Sequence, residues 1–226
     1  GKFRAAIELY SNTPWGDSLP IGLAKSKAEL LANTGQPEQG ADVLWSVLRN
    51  QSGYVQVWRK LYEMYEQLAE NDSSYKTIII EAAARHIELN PHQPDVLCLA
   101  AEHLLVHGDK NTATNTLTRA YELAPSDEYI VLTYSDRLIE LEQFETALQC
   151  LTDYEQFGLV SFALARKVNV LTHLKKEEQA LDTYKVLIAN NCEIYGTVSH
   201  AFTALSRVMD PTVLVNLLGG QLDNCS

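Results

Sequence analysis

Two histidines are the first residues whose spacing could do chemistry. The stretch "EHLLVH" sets His103 and His107 four residues apart. On a helix that spacing puts both imidazoles on one face, within reach of a single metal ion. No third ligand stands near them in the sequence, the motif is not HExxH, and two ligands alone rarely define a site. The expectation is therefore a pair of solvated side chains near a helix end, with no metal and no cofactor. His86, His92, His173 and His200 are scattered and carry no motif. Cys98, Cys150, Cys192 and Cys225 form no CxxC pair and lie in separate segments, so reduced, partly buried thiols are expected. No GxSxG, no GxxxxGK[ST] phosphate loop and no recognisable Cys-His signature is present. Without a catalytic constellation the chain reads as non-enzymatic.

The bulk charge narrows the partner. Eighteen basic and 29 acidic side chains leave a formal net charge of −11, which opposes general attraction to phosphate backbones or anionic membranes. No apolar run approaches the roughly 18 residues that a bilayer span needs. The opening "GKFRAAIELY" has neither Met nor a signal-peptide core, and suggests a segment of a longer polypeptide.

Periodicity shows what would position these side chains. Trp58, Leu61, Tyr62 and Tyr65 fall at i, i+3, i+4 and i+7, and Ala113, Leu117, Ala120 and Leu123 make a similar stripe. Strand signals are scarce, because "TIII" at 77–80 runs straight into Ala-rich sequence. The phrase ELNP at 88–91 returns as ELAP at 122–125, a spacing of 34 residues. The small or apolar residues Ile79, Ala113, Ala147 and Ala180 repeat that interval at 34, 34 and 33, with Ala6 and Ala41 earlier in the series. Such a period predicts stacked helix–turn–helix units.

On these residues the chain resembles the tetratricopeptide repeat (TPR) family. Leu97, Ala100, Ala101, Leu104, Ala113, Leu117, Ala120 and Pro125 occupy the family's repeat positions in order. Trp58, Leu61, Tyr62 and Tyr65 do so in the preceding unit, which carries about five extra residues around Glu70 to Tyr75. In the unit that follows, Tyr154 stands where a small residue is usual. The resemblance implies an all-α, right-handed superhelical α-solenoid of antiparallel helix pairs, forming one array over 1–226. Its repeats are expected at about 22–54, 55–93, 94–127, 128–160 and 161–194. Residues 1–11 would be the second helix of a truncated repeat, and 195–218 terminal helices with Asp210, Pro211 and Gly219 as capping signals.

The family's first helices line a concave groove. Reading its groove positions onto this chain selects Lys27, Arg59, Lys60, Glu63, Glu102, Tyr129, Asp136, Arg166 and Asn169, among others. Glu63, Glu102 and Asp136 share one repeat position, and a stacked acidic row would attract a basic or amphipathic peptide. The heat-shock co-chaperone clamp is not reproduced: Arg166 and Asn169 occur together, but Leu132 and Thr133 supply no amide or cation before them. The expected role is a cytoplasmic, non-catalytic protein-interaction scaffold, binding a protein or peptide and neither nucleic acid nor membrane. Alternatives are a regulatory or substrate-docking domain of a larger enzyme, such as a glycosyltransferase, and a module that self-assembles through uncapped repeat ends.

Overall fold

A computed structural model describes Ala5, Glu8, Leu9 and residues 19–158, 160–190, 195–212 and 214–216. It is an all-α helical repeat, with no strand among the described residues. The chain forms two compact units, Gly1–Leu123 and Ala124–Ser226. In the first, α1 (Ile21–Asn33) and α2 (Pro37–Leu48), α3 (Val55–Ala69) and α4 (Tyr75–Leu89), and α5 (Pro94–His107) and α6 (Lys110–Leu123) make successive hairpins. In the second, α7 (Glu128–Glu140) pairs with α8 (Phe144–Tyr154), and α9 (Ser161–His173) with α10 (Glu177–Asn190), before α11 (Tyr195–Leu205). The proposed leading helix at 1–11 and the stop at Gly219 lie mostly outside the described residues. Asp210 does cap a final helical stretch, accepting from the Thr212 amide at 2.7 Å.

Within each unit every helix packs on its successor. Contacts two helices apart join first helices only: α1 to α3 and α3 to α5, then α7 to α9 and α9 to α11. The first helices therefore form a continuous inner layer in each unit. Small side chains permit the approach. Ala24, Ala28, Ala41, Ala83, Ala100 and Ala113 are buried in the first unit's core, with Trp58 and Tyr62 filling the space beside them. At Gly40 even a methyl is too much, because a Cβ would lie 2.3 Å from Met64 Cε and 2.8 Å from the Ala28 carbonyl. The additional residues of the second hairpin go largely into longer helices, since α3 and α4 each run 15 residues. Tyr154 is buried at the end of α8, where a 3₁₀ turn, Glu155–Phe157, takes over.

Three hairpins turn by the same device. After α1, the Gly35 and Gln36 amides donate to Ala32 and Leu31. After α7, Glu142 and Gln143 donate to Ile139 and Leu138, and after α9, Lys175 and Lys176 donate to Thr172 and Leu171. Each is a Schellman turn needing a left-handed residue. Gly35 takes that place at φ 80°, but Glu142 (57°) and Lys175 (56°) hold it against the steric cost of a Cβ.

Two stability effects are expected. Glu142→Gly and Lys175→Gly each raise stability by roughly 0.5–1 kcal/mol, because the left-handed strain exceeds the entropy added to the unfolded chain. Gly40→Ala lowers it by about 1–3 kcal/mol through overpacking. Urea melts of the three variants check both signs.

Candidate functional site: the inner helix layer

The inner layer presents one cleft in each unit. In the first, Lys25 and Glu29 of α1 face Gln56, Arg59, Lys60 and Glu63 of α3 across about 500 Å³. The Lys60 ammonium lies 3.2 Å from Glu29 Oε1 and 3.2 Å from Glu63 Oε2, so one cation holds both carboxylates. Burial pulls the Lys60 pKa down, but the two carboxylates outweigh it and the net shift is upward. Its neighbours Lys25 and Arg59 form no ion pair among the described residues.

The second unit's cleft measures about 560 Å³, between α7, α9 and α11. Ile139, Phe162, Ala165 and Ala204 supply apolar surface, while Asp136, Arg166, Asn169, His200, Thr203 and Arg207 supply polar groups. Phe162 is 45% exposed, a large apolar ring held open to solvent. Asp136 accepts two hydrogen bonds from Arg166, Nε at 2.6 Å and Nη2 at 2.7 Å, the parallel fork that a guanidinium and a carboxylate form best. The remaining Arg166 nitrogen, Nη1, donates to the Phe162 carbonyl at 3.1 Å. All three guanidinium nitrogens thus donate within the protein. Arg207, by contrast, is exposed and makes no ion pair among the described residues.

Of the residues selected from the sequence, Arg59, Lys60 and Glu63 meet in the first cleft, and Asp136, Arg166 and Asn169 in the second. Glu102 and Tyr129 are not among the lining residues of either. The first hairpin contributes Lys25 and Glu29 rather than Lys27, because α1 buries Ala24, Ala28 and Leu31 and so sets the register of that weakly patterned repeat. Sequence reading also passed over Phe162, His200 and Arg207. For Phe162 the signal was its spacing to Arg166 and Asn169, at i, i+4 and i+7 along one helix face; His200 and Arg207 carried none.

His103 and His107 are not the solvated pair expected. Their side chains are only 18% and 9% exposed, and both point at Glu66 of α3. His107 Nε2 lies 2.7 and 2.8 Å from the two carboxylate oxygens, and His103 Nδ1 lies 3.1 Å from Oε1. An ionised carboxylate only accepts, so each of these nitrogens carries the proton. Packing of α5 on α3 explains the difference: the face that would be open on an isolated helix is covered by the neighbouring repeat. Among the described residues no group of His, Cys, Asp and Glu is arranged to hold a metal ion.

A buried aromatic ladder continues from this cluster. Tyr62 stacks on His103 at 3.8 Å, Trp58 stacks on His86 at 3.9 Å, and Trp45 meets Trp58 edge-on at 5.1 Å. The Tyr62 hydroxyl and His86 Nδ1 are 3.2 Å apart. His86 is fully buried and its Nε2 has no hydrogen-bond partner, a cost for any charged form. Burial, aided by the nearby His103, pushes the His86 pKa down to about 3. His103 is likewise lowered, burial outweighing the attraction of Glu66.

No family model and no curated protein sequence matches the chain. Among solved structures, the TPR protein YrrB superposes with a TM-score of 0.56 at 16% identity, over 90% of this chain and 98% of that one. A tetratricopeptide repeat protein from Parabacteroides merdae ATCC 43184 gives 0.58 at 9% identity, over 88% and 78%.

The histidines set a pH dependence with a definite sign. Folded-state pKa values below the ordinary 6.5 mean that the unfolded chain binds protons the folded one refuses. Their contribution is complete above about pH 6.5 and is lost as pH falls below it. For His86 the loss runs toward pH 3, at about 1.4 kcal/mol per pH unit, and His103 adds to it in the same direction. Urea midpoints measured across that range should fall with acid, and less steeply in His86→Leu. In its fold, the chain is a TPR-like helical repeat protein.

Proposed function

We propose that the protein is a non-catalytic interaction scaffold whose inner helix layer holds a segment of a partner protein. The observation that carries this reading is the open cleft between α7, α9 and α11. It combines a half-exposed Phe162 with hydrogen-bonding groups at Asn169, His200 and Arg207. An apolar anchor point ringed by polar groups that fix orientation is how small recognition sites are generally built. A cleft of this size fits a few side chains of an extended or helical segment, rather than a globular surface. The likeness to YrrB, described as a TPR protein with an unusual peptide-binding site, supports the same class of ligand. No described helix is long and apolar enough to cross a membrane.

A photo-crosslinking amino acid placed at Asn169, on the inner layer, should capture the partner from cell extract. The same group at Gln149, on the exposed side of α8, should not. Equal capture from both positions, or capture from Gln149 alone, rejects the inner layer as the docking face.

A further inference from the structure

The charge presented by the clefts is opposite to that of the whole chain. In the first unit, Lys25, Arg59 and Lys60 stand against Glu29 and Glu63, three cations to two carboxylates. In the second, Arg166 and Arg207 stand against Asp136, two to one. Each cleft is thus formally +1 in a chain of −11. The internal pairing sharpens this contrast. Lys60 holds both carboxylates of the first cleft, and Arg166 chelates the single one of the second. Every cleft carboxylate is therefore already engaged by a cation of the same cleft. The polar groups that no partner in the cleft answers are cationic or neutral: Lys25 and Arg59 in one unit, Arg207, His200 and Asn169 in the other.

Resting on the scaffold reading above, we infer that the partner segment is acidic, with Asp or Glu side chains interleaved with apolar ones. This reverses the basic peptide expected from an acidic row at Glu63, Glu102 and Asp136. A basic segment would have to share carboxylates that Lys60 and Arg166 already neutralise, and would meet Lys25, Arg59 or Arg207 on arrival. An acidic segment keeps the internal pairs, sets a carboxylate against a guanidinium, and lays an apolar side chain on Phe162. The surrounding surface repels a general polyanion, so only a short anionic stretch with apolar neighbours satisfies both fields.

The test uses fluorescence anisotropy of the full chain with three labelled peptides of equal length. One alternates Glu with Leu and Phe, one replaces Glu by Lys, and one replaces Glu by Gln. The Glu peptide should bind best and weaken as salt is raised. Arg207→Glu should reduce its affinity about tenfold or more, the scale of losing one charge-assisted hydrogen bond. Phe162→Ala should weaken the Glu and Gln peptides alike. Tighter binding of the Lys peptide overturns the acidic assignment while leaving the inner-layer scaffold intact, provided Phe162→Ala still weakens it. Binding of the Glu peptide that neither variant changes overturns the cleft reading itself. A single-stranded oligonucleotide that competes as well as the Glu peptide shows undirected polyanion binding and likewise rejects the proposal. Urea melts of both variants confirm that lost binding is not lost folding.

Discussion

A single helical hairpin leaves one flank of each helix apolar and uncovered, and everything else in this chain follows from how the next hairpin covers it. Cover is possible only where the facing helices carry little beyond a Cβ. Ala28 lies under Gly40, where even a methyl would collide with backbone and with Met64. Around such points the large side chains have fixed places, and Trp58 and Tyr62 are wholly buried as a result. Because first helices touch first helices across neighbouring hairpins, their remaining exposed face becomes a shared inner surface. The clefts are a by-product of stacking, not an addition to it.

The same stacking creates a recurring polar contact. Lys60 reaches back to Glu29 and Arg166 reaches back to Asp136, each from a first helix to the first helix one hairpin earlier. Partly exposed pairs of this kind contribute about 1 kcal/mol at most to stability. Their larger effect is on what the surface offers a ligand, since they cancel carboxylates and leave other cations unanswered. Glu66 plays a comparable part at the edge of the first unit, where it takes His103 and His107 from the following first helix.

What the sequence made legible was everything that depends on local periodicity. The 34-residue echo, the small residues Ala113, Ala147 and Ala180, and the stripe from Trp58 to Tyr65 report the packing of each helix on its nearest neighbour. Those positions are buried for the same reason that they recur. Charge did not read out as well, because pairing across hairpins depends on side-chain reach rather than on repeat position. Asp136 and Glu63 stand at one repeat position, yet the first answers to Arg166 of the following hairpin and the second to Lys60 on its own helix. The His103–His107 pair failed for a related reason: its third member, Glu66, sits 37 residues from His103. Lys25 and Glu29 were missed because α1 carries too few large side chains to mark its register, whereas Lys27 fitted the general pattern.

The aromatic ladder has a spectroscopic consequence. All three tryptophans of the chain, Trp15, Trp45 and Trp58, fall within Gly1–Leu123, and the second unit has none. Trp58 is sealed in the core against an imidazole ring, where its emission responds to packing rather than to solvent. Intrinsic tryptophan fluorescence is therefore a private reporter of the first unit, while circular dichroism sums the helices of both. Comparing the two signals shows whether the halves of this array melt as one cooperative body or in succession, with no label added.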